Sequence, residues 1–270
     1  MSPISLPIHQ TSPISVGNPK TSGRTEPLQM HCQTGDGRLT DYVVKLWANP
    51  QVFLGKHSLA REIYGSILAS ALNIDTPDIA TVYIEPDFYQ SQSSSHFADL
   101  LRQSTGANFG SKFIPGAIIF SPPVSPSKHS AAVKIFCFDM LICNPDRRVG
   151  KPNVFQTPDG FMVFDHEQAF PFSRPTMMPG GFPPIWEYIL EGWHKNHIFY
   201  ASIKNRECLL EIEEFVTSMG YLSEDLFDRI EAQIPKDWRT GNDLKNIRLY
   251  LAETMENSHR FKRSLQEILA

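Results

Sequence analysis

Three short stretches of this chain hold charged or amide side chains where their surroundings make them costly. Lys45 lies inside the run Asp41-Tyr42-Val43-Val44-Lys45-Leu46-Trp47, whose β-branched and aromatic residues read as a strand. An ammonium within an apolar strand needs a partner, and Glu62, in the first turns of the helical pattern that follows, can supply one. The other reading puts Lys45 on an edge, pointing to water. Asp146 sits in Asn144-Pro145-Asp146-Arg147, just after an apolar helical run, and Asn153 follows seven positions later at the start of a strand. A carboxylate and an amide oxygen on one short loop can orient an attacking hydroxyl and ligate Mg²⁺, the two needs of phosphoryl transfer. Alone, Asn-Pro-Asp-Arg is also a good β-turn. Asp165, in Phe164-Asp165-His166-Glu167, ends a strand 12 residues after Asn153, a spacing that suits two short strands and a turn. His166 and Glu167 read either as supporting groups or as solvated ones. Two carboxylates about 4 Å apart repel by roughly 4 kcal/mol at an effective dielectric of 20, so Asp146 and Asp165 sharing a cleft call for a cation.

The elements that must position these groups are legible in outline. Residues 27–33 form a poorly alternating strand candidate, and the Gly35-Asp36-Gly37 turn marks a hairpin before the Lys45 strand. Ser58 can cap a helix in which Leu59, Ile63, Ile67, Leu68, Ala71 and Leu72 recur at helical spacing, ending near Asn73. Residues 79–85 read as another strand and residues 85–116 as irregular. Pro122, Pro123 and Pro126 mark residues 121–128 as a linker. Residues 131–142 form an apolar helix, residues 154–155 and 161–164 a hairpin around Pro158-Asp159-Gly160, and residues 171–184 a long proline/glycine loop. Helical patterns follow at 185–191, 208–219, 224–233 and 242–270. The order predicts an α+β chain, with a β-rich first part carrying one helix and a mostly helical second part.

Composition narrows the possibilities. The 270 residues suit a two-lobed molecule with a shared cleft. A net charge of −4 gives no basic face for nucleic acid, and no apolar run reaches the length of a membrane span. Residues 1–20 lack a signal-peptide pattern and carry Pro3, Pro7, Pro13 and Pro19, which predicts a flexible proline-rich arm. Four cysteines make no CxxC pair; Cys137 and Cys143, in an apolar stretch, read as buried thiols, and with no secretory signal the chain is expected in a reducing cytoplasm. His194 and His197 read as ordinary surface histidines. Arg147 and Arg148 read either as a phosphate or substrate-acid clamp or as a surface pair beside a turn.

The run from Phe138 through Asp139 to Asn144-Pro145-Asp146-Arg147, then Pro152-Asn153-Val154-Phe155, then Phe164-Asp165-His166-Glu167 and Phe170, resembles the HipA-like kinases. It is more distantly similar to phosphatidylinositol kinases. Upstream, Ser22-Gly23-Arg24-Thr25, Gly37, Tyr42-Val43-Val44-Lys45, Arg61-Glu62 and Phe109-Gly110-Ser111 follow the same order. The likeness spans residues 20–170. It implies a bilobal protein-kinase-like fold: a nucleotide-binding N-lobe over residues 21–120, the 121–128 linker, and a C-lobe over residues 129–270 with the catalytic loop and metal site. It implies that ATP phosphates are met by Lys45, held by Glu62, and by backbone N–H groups of Ser22, Gly23, Arg24 and Thr25. Asp146 would be the catalytic base or would orient the hydroxyl, and Asn153 and Asp165 would bind Mg²⁺. The acceptor implied is a protein Ser or Thr; a small molecule or lipid head group, or a partner-binding pseudokinase, are the alternatives. The asparagine here stands two positions later than in most such loops, where Lys151 falls instead. Either two residues are inserted, or Lys151 takes the place and alters the metal site. Residues 83–85 and 118–120 are both candidates for the segment against adenine.

Overall fold

The computed structural model describes residues 6–19, 27–52, 55–91, 95–173, 182–239 and 241–270. Its first part is a closed five-stranded barrel with neighbour order β1 (His9–Pro19), β2 (Leu28–Thr34), β3 (Leu39–Lys45), β5 (Gly106–Lys112) and β4 (Ile79–Ile84). Along β2, Leu28, Met30 and Cys32 point inward while Gln29, His31 and Gln33 face out, so the strand alternates cleanly. Tyr42 and Val44 fill the barrel from β3, with Ala80, Val82 and Ile84 from β4. The same period of two turns Val43 and Lys45 outward, toward the rest of the molecule.

Residues 9–19 correct the expectation of a flexible arm. They pair antiparallel with β2, and His9, Gln10 and Thr11 pair parallel with Ala80, Thr81 and Val82, closing the barrel. Pro13 cannot donate to the ladder, and the register shifts between Pro13 and Ser15, which is how a strand accommodates it.

Residues 85–116 are likewise more regular than expected. They contain α2 (Ser95–Gln103) and β5, and Leu101 of α2 packs on the barrel interior with Phe97 and Leu100 beside it. So the sheet-rich part has a second helix besides α1 (Lys56–Ala71). α1 is buried on nearly every side, with Ser58, Arg61, Glu62, Ser66 and Ser70 buried alongside its apolar residues. Its Leu59, Ile63, Ile67 and Leu68 belong to the core of the helical part, separate from the barrel interior.

The chain crosses earlier than the 121–128 linker. β6 (Ile118–Ile119) already pairs with β7 (Val154–Gln156), which pairs with β8 (Phe161–Val163). Residues 126–128 form a 3-10 turn feeding α3 (His129–Leu141). The crossing therefore lies at residues 113–117. Short helices α4 (Ile185–Tyr188) and α5 (Tyr200–Ile203) follow, then α6 (Leu209–Ser218), α7 (Glu224–Gln233), α8 (Asp243–Glu256) and α9 (Ser258–Leu269). Among the described residues no helix is long and apolar enough to cross a membrane.

Candidate active site

Between barrel and helices lies a cleft of about 1020 Å³, lined by Lys45, Glu62, Asp146, Asn153 and Asp165 together. Ser22, Gly23, Arg24 and Thr25 lie outside the described residues; Pro27, just before β2, is on the cleft wall. Apolar walls come from Val43, Phe109, Ile119, Phe155 and Phe164. Of the two segments expected near a base, 118–120 reaches the cleft through Ile119, while Tyr83 faces solvent on the far side of the barrel.

Lys45 is buried, not on an edge. Its Nζ donates to Glu62 Oε1 at 2.5 Å, Asp165 Oδ1 at 2.7 Å and Glu167 Oε2 at 3.0 Å. Burial works against its charge, but the carboxylates of Asp165, Glu62 and Glu167 outweigh it and hold Lys45 well above the usual lysine range. Burial pushes Asp165 up, and Lys45 and Lys151 pull it further down, so it stays ionised. One ammonium among three carboxylates leaves negative charge in excess. Glu62, fully buried, is the group pushed up, to about 7, by desolvation with the charges of Asp165 and Glu167, against the pull of Lys45. The oxygens of Glu62, Asp165 and Glu167 lie within 4.8 Å of one another, but the Lys45 ammonium already fills that space. Glu167 and His166 are both buried, which excludes the solvated reading.

α1 is held against the strand end that carries Asp165. The His166 backbone N–H donates to Glu62 Oε2 at 2.7 Å. One turn on, Gly65 makes the approach possible: a Cβ there would stand 2.6 Å from His166 Cβ. Gly65→Ala is expected to destabilise the fold by about 1–3 kcal/mol, since both backbones are pinned and one must move. A urea titration reads this as a lower midpoint; an unchanged midpoint would mean that α1 has slack against His166.

The β7–β8 hairpin brings Asn153 and Asp165 to one end. Val154 pairs with Val163, and the Phe164 N–H donates to the Asn153 carbonyl at 3.2 Å. Both residues have left-handed backbones, Asn153 at φ 49° and Asp165 at φ 63°, a conformation that costs non-glycine residues energy and clusters at functional sites. The Asn153 side-chain nitrogen is buried without a hydrogen-bond partner among the described residues. Since an amide exchanges its nitrogen and oxygen by half a turn, and no described residue holds that nitrogen, its oxygen can face a cation beside Asp165.

The two extra residues before Asn153 form a tight turn. Arg148 and Lys151 exchange backbone hydrogen bonds, N–H to O at 3.1 and 2.9 Å, around Val149 and Gly150, and Gly150 takes φ 89°. Asn153 thus reaches the cleft, and Lys151 comes with it: its ammonium binds Asp146 and lies 3.5 Å from Asp165 Oδ2. Asp146 itself is set by a local turn, its N–H donating to Asn144 Oδ1 at 3.2 Å.

Arg147 is neither a phosphate clamp nor a surface residue. It is fully buried, its Nε on Asp139 Oδ2 at 2.5 Å, while one guanidinium nitrogen donates to the carbonyls of Asn153 and, at 3.1 Å, Phe164. Asp139, in the last turn of α3, also accepts from Asn144 Nδ2 at 3.1 Å and His197 Nε2 at 2.9 Å. The Phe199 N–H donates to His197 Nδ1, which leaves Nε2 as the nitrogen that carries hydrogen toward Asp139. Burial pushes Asp139 up, but Arg147 and His197 more than reverse this, to about 2. His197 and His194 are buried, correcting the expectation of surface histidines. The Asp139 hub had a sequence signal: it is the one charged residue between Ile135 and Ile142.

No curated protein matches this sequence. The sequence profile of the HipA-like kinases matches residues 14–264, so nearly the whole chain, cleft included, is covered. The ordered set of Lys45, Glu62, Asp146, Asn153 and Asp165 around one cleft agrees with that match: this protein belongs to the HipA-like kinase family.

Proposed function

We propose that the protein is an ATP- and Mg²⁺-dependent kinase of bilobal design that phosphorylates a protein Ser or Thr hydroxyl. One observation carries the reading. A single ammonium, Lys45, joins Glu62 and Asp165, 120 residues away, on the wall of a cleft that also holds Asp146 and Asn153. Family membership implies a phosphotransferase that uses ATP. The apolar walls suit a purine, and Lys45, aimed by Glu62, suits its phosphates. Asp165 and the Asn153 amide oxygen would hold magnesium, which when bound offsets charge on the phosphates. Asp146 would accept the proton of the acceptor hydroxyl as its oxygen bonds to the γ-phosphorus. Arg148 Nε is 3.9 Å from Asp146, and Lys151 also binds it, so the entry to Asp146 is basic. That argues against a cationic small-molecule acceptor. Four buried free cysteines agree with a reducing cytoplasm.

The test is thermal stabilisation by ATP with and without Mg²⁺. At about 100 times its dissociation constant, a ligand adds roughly 2.7 kcal/mol, a rise of about 5 °C or more for a chain of this size. The rise is expected to need Mg²⁺ and to vanish in Asp165→Asn. No shift in the wild type would overturn the reading.

A further inference from the structure

The two neighbouring arginines of the Asp146 loop have opposite surroundings. Arg147 is sealed beneath the loop on Asp139. The Arg148 side chain is 55% exposed and lines the cleft beside Asp146. Among the described residues only Asp146 comes near its guanidinium, with Nε 3.9 Å from Oδ1, and the two terminal nitrogens have no hydrogen-bond partner. Its backbone, by contrast, is braced. The N–H donates to the carbonyls of Asp146 and Lys151, both at 3.1 Å, the carbonyl accepts from the Lys151 N–H at 2.9 Å, and the residue bridges to His197. Val149, next to it at the tip of the turn, is 68% exposed, so the turn stands clear of the packed core where a second chain can reach it.

This is a mounted guanidinium with an open fork. A planar fork on a fixed backbone matches a carboxylate with two parallel hydrogen bonds and loses less freedom in doing so than one on a loose loop. The surrounding charge selects the partner. Asp146, Asp165 and the phosphates of a bound nucleotide are all negative, so an acidic side chain can approach only where a cation faces it. Lys151 is already held by Asp146 and Asp165. Arg148 is the cation at this entry whose donors stay open.

We propose that Arg148 is a specificity residue that binds a carboxylate of the acceptor protein, on an Asp or Glu within two residues of the phosphorylated Ser or Thr. This rests on the kinase reading. The spacing follows from reach. The acceptor oxygen must come within about 3 Å of the Asp146 carboxylate that takes its proton. A carboxylate bound by the nearby guanidinium then lies roughly 7–9 Å from that oxygen. An extended chain advances about 3.3 Å per residue, so one or two residues, with their side chains, span the gap.

The experiment uses peptides with one central Ser in a Gly/Ala background, carrying Asp, Ala or Lys at each of the four positions nearest it. Phosphate transfer from MgATP is measured for the wild type, Arg148→Glu and Arg148→Gln, with MgATP affinity determined for each. The wild type is expected to favour Asp over Ala by about tenfold in kcat/KM at one or more of these positions, with Lys below both. Arg148→Glu should reverse the order and favour Lys over Asp, which loss of a merely structural contact would not do. Arg148→Gln should use the three kinds of peptide equally, and it decides the matter should the reversed charge beside Asp146 prevent folding. Equal use of the three by the wild type overturns the proposal while the kinase reading stands. So does an unchanged order in the variants, or a tenfold loss of MgATP affinity, which would assign Arg148 to the nucleotide. Transfer to no peptide by a wild type that binds MgATP overturns it as well. If the wild type does not bind MgATP, both readings fail together.

Discussion

Asp146→Asn is expected to retain MgATP affinity and to lose ADP formation from MgATP by about a thousandfold. The proton taken from the attacking oxygen needs an acceptor, and positioned general bases contribute about 10²–10⁴-fold. Asparagine preserves the volume and the local turn, because the turn uses the residue 146 backbone N–H and the Asn144 side chain. What changes is the charge that Lys151 binds and the lone pairs offered to a hydroxyl. The measurement is ADP release at saturating MgATP, with nucleotide affinity determined separately. A variant with near wild-type turnover would remove Asp146 from the chemistry and reduce its loop to a turn. A variant that loses nucleotide affinity as well would assign Asp146 to binding.

The second large effect lies beneath the cleft. Asp139→Ala leaves the Arg147 guanidinium buried without its carboxylate, and breaking one side of a buried pair costs about 3–5 kcal/mol. For a chain of this size that lowers the melting temperature by about 10 °C. The loss exceeds that of an ordinary core truncation because Asp139 takes three donors at once, from Asn144, Arg147 and His197. The double variant Asp139→Leu with Arg147→Met removes both charges and is expected to recover much of the stability. It should not recover turnover, because Arg147 also ties the Asn153 and Phe164 carbonyls to the Asp146 loop. Melting temperature and ADP formation, measured on the single and double variants, separate the two roles. Equal recovery of both would show that Arg147 offers only charge balance and does not position the loop.

The two experiments concern groups that differed in how readily they could be read. Lys45, Glu62, Asp146, Asn153 and Asp165 were visible from residue type and spacing, and the cleft holds all five. The strand and helix around Lys45 and Glu62, and the hairpin between Asn153 and Asp165, form close to where the pattern puts them. The reason is local: an ammonium in an apolar strand and a carboxylate at a strand end are costly to bury without partners, so their presence is informative. Arg147 showed no such cost in a polar turn, and its burial comes from α3 and His197, 50 residues along the chain from it.

The amino-acid sequence by itself determined the α+β order and picked out Lys45, Glu62, Asp146, Asn153 and Asp165, because periodicity, turn chemistry and the cost of buried charge act over short distances, while its motifs carried the likeness to the family. Only the tertiary structure decided that residues 9–19 close a barrel, since a proline-bearing strand is tolerated only where a particular neighbour accepts its bulge. It alone turned Ser95–Gln103 into a helix on that barrel and placed α1 in the core of the helical part. It alone set Lys151 between Asp146 and Asp165 and gave Arg147 to Asp139. Which ions meet depends on where the backbone carries them, and no spacing rule encodes a contact between segments joined only through the folded core.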